Sequence, residues 1–215
     1  MNWQKIYSVM LDLIVPLGKI LRISEKLTPF EHWSRVLFVY IPRTFFVYWL
    51  FTFIPIFGTL LYGLVAIPLS AAMHIKSLQV SRQKHAQIYL LYFVVILIGF
   101  GGIWNFIGHT FLADHVATLI GWETGSPFQT ELAFYTLGTS FAALLAIWFR
   151  EKIVVAVVVS KSVFLYGAAY VHIRDFFIHS NTNPLNLGIV LVGDIIYPSI
   201  LLFLLHKVYY KKLFD

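Results

Sequence analysis

Apolar residues fall into long runs with few charged breaks. Residues 86–108 carry no charged side chain over 23 positions, between His85 and His109. Similar runs extend from Leu132 to Phe149, from Ile153 to Tyr170 with only Lys161 charged, and from Leu185 to Leu205 with only Asp194 charged. A bilayer core about 30 Å thick takes roughly 20 apolar residues in a helix rising about 1.5 Å per residue. The pattern predicts four membrane-spanning helices over residues 86–206.

The first 85 residues follow a different pattern. Ile6, Tyr7, Met10, Ile14, Leu17 and Leu21 recur at helical spacing, interrupted by Lys5, Asp12, Lys19 and Arg22. That is the signature of an amphipathic helix in the membrane interface, over residues 3–23. Thr28-Pro29, with Glu31 three residues after the threonine, reads as a break and a new helix start. From Arg35 to Met73 the only charge is Arg43, and Pro42, Pro55, Gly58, Gly63 and Pro68 rule out one straight helix. Two spans are expected, about 36–54 and 56–74, with a turn near Pro55–Gly58; a re-entrant hairpin is the alternative. The expected architecture is all-α, a polytopic transmembrane bundle. It divides into an N-terminal amphipathic helix with two membrane segments (1–85), a four-helix core (86–206) and a basic tail (207–215).

Composition supports this reading. The chain of 215 residues is 59% hydrophobic and 12% charged, against roughly 25% charged in soluble domains. It contains no cysteine, which excludes disulfides, thiolate metal sites, covalent c-type haem and CxxC redox chemistry. No cleaved signal peptide is expected after Met1, because no short apolar core with a small-residue cleavage site follows. The net charge of +6 could suggest nucleic acid, but its placement fits topology better. Of 16 Lys and Arg residues, all but Arg43, Lys161 and Arg174 fall in segments that six spans would place on one side. Under the positive-inside rule that side is cytoplasmic and holds both termini. The bilayer is therefore the expected partner and nucleic acid is not; a second copy or another membrane subunit is the remaining candidate.

The polar residues that interrupt the runs carry any chemistry. Ser126-Pro127-Phe128-Gln129 has the form of a capping box, with Ser126 and Gln129 satisfying each other's backbone amides. Glu131 would then sit near the positive end of a helix dipole. Counting down each helix, Lys161 lies about 16 Å and Asp194 about 14 Å below the outer surface. An unpaired charge there costs about 3 kcal/mol or more, so the two form a candidate buried ion pair. His109, Glu131, His172 and Asp194 come from four spans at similar depth, with Trp104, Asn105, Tyr170 and Tyr197 nearby. Imidazoles with carboxylates suit a non-thiolate metal site, a proton relay or a polar ligand pocket. His109, Glu131 and His172 are the candidate metal ligands.

Simpler roles stand beside these. His109 and His172 could cap helix ends, and Glu131 could be only a dipole partner. His115 and His179 read as solvated loop residues. Gly138, Ala142 and Ala146 form a small-residue stripe suited to close helix packing. Trp33, Trp104, Trp122 and Trp148 fit aromatic belts, and Arg43 fits a snorkelling side chain.

Several segments together resemble an uncharacterised family of small bacterial membrane proteins with a four-helix core. They are Gly101-Gly-Ile-Trp104, Gly108-His109-Thr-Phe111, Ile120-Gly-Trp122, Gly125-Ser-Pro-Phe-Gln-Thr-Glu131, Leu137-Gly138, Phe164-Leu-Tyr-Gly167, His172-Ile and Asp194-Ile-Ile-Tyr-Pro198. The likeness covers about residues 86–206, and Gly-Ser-Pro-Phe-Gln-x-Glu is its most specific part. It implies a bacterial inner membrane and a recurring polar set of His109, Gln129, Glu131, His172 and Asp194; Lys161 is outside the pattern. The family carries no assigned activity, and the cofactor is unknown. Three classes of function remain open: a binding or transport protein with a polar pocket for a metal ion, proton or small polar ligand; a quinone- or haem-linked redox accessory; and a structural or assembly subunit whose polar cluster fixes helix packing.

Overall fold

The computed structural model describes residue 60, residues 62–149 and residues 152–209. The amphipathic helix 3–23, the break at Thr28-Pro29, the span 36–54, Arg43, the Pro55–Gly58 turn and the tail beyond Tyr209 lie outside these residues. Among the described residues all regular structure is helical.

A π-helical turn, Tyr62–Ala66, runs into α1, Ile67–Leu78. Gln79 closes α1 in the left-handed region, returning its N–H to Ile75 O and Lys76 O. Helix α2, His85–Phe111, winds as a π-helix over Phe93–Phe100. Next come α3 (Ala113–Ile120), α4 (Pro127–Leu145), α5 (Lys152–His179), α6 (Pro184–Leu187) and α7 (Ile189–Tyr209). Helices α2 and α5 and the segment Pro184–Tyr209 are each long and apolar enough to cross a membrane. Helix α4 is not among these three. Its 19 residues include Gln129, Thr130, Glu131, Thr136, Thr139 and Ser140.

Helix α5 is longer than its apolar run. Its 28 residues correspond to about 42 Å, and it continues through His172, Arg174 and Asp175 to His179. No helix breaker intervenes before Ser180, which is left-handed at φ 53. Polarity after Tyr170 therefore does not end the helix. His179, expected in a loop, stands in its last turn.

The core between α2 and α4 is built on small residues. Ala133, Thr136, Ser140 and Ala143 are fully buried at spacings of three and four, one face of α4. A Cβ at Gly102 of α2 would run into the Ser140 hydroxyl, so glycine permits the close approach. Ser140 Oγ donates to Thr136 O at 2.6 Å and lies 3.2 Å from Ile98 O. The expected stripe through Gly138 is displaced from this face: a Cβ at Gly138 would meet nothing within 4 Å. Outside the core, Phe128, Phe134, Phe141, Val163, Phe177 and Phe203 are exposed. Fully burying such a side chain is worth about 1.5–3 kcal/mol relative to water, so this surface suits acyl chains.

Polar contacts also join the helices. Tyr135 and Ser160 link α4 to α5 through their hydroxyls at 2.9 Å, and Tyr166 and Ser199 link α5 to α7 at 2.9 Å. Between α1 and α2, buried His74 meets the Tyr92 hydroxyl through Nδ1 at 2.9 Å.

Candidate functional site

The C-terminal ends of α2 and α5, the N-terminal end of α4, and α3 and α6 share one loop-rich end of the bundle. An open cavity of about 1080 Å³ lies there, and its walls include His109, Trp122, Glu123, Gln129, Glu131 and Asp175. Phe128, Tyr135 and His179 also line it.

Gln129 acts differently from the capping box expected of it. Ser126 holds the N-cap position, but its side chain makes no capping bond. The Gln129 amide instead donates to Ala113 O at 2.9 Å and lies 3.2 Å from His109 Nδ1. Its two N–H groups therefore tie the start of α4 to α3 and α2. Nδ1 of His109 accepts, which places that ring's proton on Nε2. Asp114 adds a second tie, accepting the Gly125 N–H at 3.0 Å.

Asp175 organises the opposite wall. Its carboxylate accepts from Trp122 Nε1 at 3.0 Å and from Asn181 Nδ2 at 2.6 Å, and it meets His179 Nδ1 at 2.6 Å one turn on. Asn181 also donates to Ile120 O at 2.9 Å. Gly121 closes α3 at φ 87, and a Cβ there would collide with the Asn181 and Asn183 side chains. Both its backbone conformation and this crowding call for glycine. Trp122, expected in an aromatic belt, is thus held by a specific hydrogen bond.

His172 lies behind the indole. The two rings stack with centroids 5.5 Å apart and planes 14° from parallel. His172 is buried, and its Nδ1 is 2.8 Å from Asn186 Oδ1. The Asn186 amide nitrogen faces two carbonyls, Asn181 O at 2.8 Å and His172 O at 3.3 Å. That fixes the orientation of the amide, so its oxygen faces the ring and His172 Nδ1 carries the donated proton. The other nitrogen, Nε2, is 3.9 Å from Asp194 Oδ2.

The five residues expected in one pocket therefore fall in two places. His109, Gln129 and Glu131 line the cavity; His172 and Asp194 form a buried couple and are not among its lining residues. Tyr197 packs on Gly63, and Tyr170 and Trp104 are exposed. Among the described residues no three His, Asp or Glu side chains gather as metal ligands, so His109, Glu131 and His172 do not form the expected set. Nor do Lys161 and Asp194 form an ion pair within 4 Å. Equal depth along two helices leaves the azimuth free, and the Lys161 ammonium lies 4.6 Å from the centroid of the Phe164 ring. It remains close enough to act electrostatically on both Asp194 and His109. Asn181 and Asn186 carried no functional expectation from sequence. Three asparagines in six residues, one inside an apolar run, were the available signal.

Residues 53–212 match the family model described as a family of unknown function (DUF6790). The match covers well over half of the chain, which belongs to that family. It begins upstream of residue 86, so the family includes the segment that precedes the expected four-helix core. No curated protein and no solved structure matches the chain.

Proposed function

We propose that this membrane protein binds a small, positively charged polar ligand in the open cavity. The observation that carries the reading is the composition of its walls. Glu123, Glu131 and Asp175 supply carboxylates, Trp122, Phe128 and Tyr135 supply aromatic faces, and among the described residues no Lys or Arg lines it. Carboxylates attract a cation by charge-assisted hydrogen bonds, and aromatic rings add cation–π attraction. His109 and Gln129 would orient polar substituents. In this reading the protein sits in a bacterial inner membrane with both termini cytoplasmic and the cavity facing outward, an orientation that the placement of Lys and Arg supports.

The test is the thermal stability of the detergent-solubilised full chain with alkylammonium ions, matched carboxylates or divalent metal ions. Alkylammonium ions should raise the melting temperature and carboxylates should not. Glu131→Gln should weaken the effect about tenfold, as loss of one charge-assisted hydrogen bond of about 1.5 kcal/mol would. Carboxylates binding instead, or no response to any probe, would overturn the reading. A second reading is a structural or assembly subunit. It is favoured by one observation: Asp175, Asn181, Asn186 and His172 find partners within the chain itself.

A further inference from the structure

We infer that His172 and Asp194 form a proton-binding site, separate from the cavity and closed off from it by the indole of Trp122. The inference goes beyond the cation-binding reading and does not depend on it.

Donors and acceptors do not match between the two side chains. Asn186 fixes the proton on Nδ1 of His172, so in the neutral ring Nε2 presents a lone pair. That lone pair and Asp194 Oδ2 are both acceptors, 3.9 Å apart in a buried setting. Two facing acceptors cannot hydrogen-bond each other, and their approach is unfavourable in a buried setting. One proton resolves the mismatch. Taken up on Nε2, it turns the ring into an imidazolium that donates toward the Asp194 carboxylate. One proton enters from water and no bond between heavy atoms changes.

The surroundings suit a proton more than a larger ion. Lys161, on the same helix as His172, already supplies a positive charge within electrostatic reach of Asp194. Asp175 lies on the far side of the indole, which it holds at 3.0 Å. His109 of α2 is within electrostatic reach of Lys161. Trp122 covers one face of the His172 ring and lines the cavity with the rest of its surface. Gly121 and Gly125, both at positive φ, flank the short segment that carries the indole.

Stacking makes Trp122 a reporter, because a protonated imidazole quenches the emission of an indole lying against it. In the full chain in detergent, emission should show a one-proton transition on pH titration, as the couple takes up its proton. His172→Gln and Trp122→Phe should each abolish the transition. Asp194→Asn should displace its midpoint by about one pH unit, the scale of a neighbouring charge. Persistence of the transition in His172→Gln, or a flat wild-type profile, would overturn the inference. Should His172→Gln fail to fold, nitrogen-15 spectra of the wild-type imidazoles decide. The ring whose resonances lose their indole ring-current shift in Trp122→Phe should carry its fixed proton on Nδ1 and titrate at Nε2. A fixed proton on Nε2 would refute the site. None of these readouts requires a cavity ligand, so failure of alkylammonium binding would leave them unaffected.

Discussion

Asn186→Leu isolates the contribution of one buried amide. Asn186 is fully buried, and its side chain makes three hydrogen bonds: with His172 Nδ1 at 2.8 Å, Asn181 O at 2.8 Å and His172 O at 3.3 Å. Leucine keeps the branched shape with the same number of heavy atoms, so the loss reports polar contacts with some overpacking and not a cavity. At about 0.6 kcal/mol per side-chain hydrogen bond in a membrane protein, three bonds give about 2 kcal/mol. If the abandoned Nδ1–H and one carbonyl stay dry, at about 1–3 kcal/mol each, the loss rises to about 4 kcal/mol. Asn186→Asp should cost at least as much, because it keeps an acceptor for His172 but turns a second acceptor toward two carbonyls. The assay is reversible unfolding of the full chain in mixed micelles with increasing dodecyl sulfate, followed by far-UV circular dichroism. A loss below about 0.5 kcal/mol, the ordinary error of such comparisons, would refute the reasoning and with it the fixed tautomer of His172.

Two glycines should respond in opposite ways in the same assay. Gly102→Ala drives a Cβ into the Ser140 hydroxyl and should cost about 1–3 kcal/mol by overpacking, with Ser140→Gly relieving part of it. Gly138→Leu meets open space and should change stability by less than about 0.5 kcal/mol; a large loss would show that α4 is rotated. Reporter fusions at Asp215 and within residues 112–124 should report cytoplasmic and periplasmic locations respectively, and a periplasmic C-terminus would reject the proposed orientation.

The sequence made some features legible and hid others for physical reasons. Hydrophobic run length located α2, α5 and α7, because a membrane helix needs apolar residues along its whole length. It misjudged the end of α5, since a helix that leaves the bilayer can continue in water with polar side chains. Depth from helical rise matched Asp194 with Lys161, yet the side chain 3.9 Å from Asp194 is that of His172, about three turns beyond Lys161 along the same helix. Azimuth was not readable, which is why Lys161 turns toward Phe164 and Gly138 faces open space. The capping-box reading of Ser126 and Gln129 used a local rule, yet a tertiary acceptor, Ala113 O, took the glutamine. Trp122 and Asn186 matter through partners far along the chain, and no local pattern indicates such pairs.

Pro198 adds a last step to the argument about Asp194. It is buried in α7 four residues after Asp194. Proline has no amide hydrogen, so the Asp194 carbonyl lacks its usual i+4 helical donor. In water a solvent molecule would replace that donor; within a membrane helix neighbouring groups must do so. The same residue thus presents a carboxylate and an under-served carbonyl, while His172 Nε2 adds a third acceptor 3.9 Å from Asp194 Oδ2. The ammonium of Lys161 is already over the Phe164 ring. Among the described residues no donor lies within hydrogen-bond distance of the Asp194 carboxylate. A carboxylate so placed favours taking up a donor, and a proton is the smallest the buried couple can admit. The proline that interrupts the helix and the asparagine that fixes the imidazole act from opposite sides on the same two side chains.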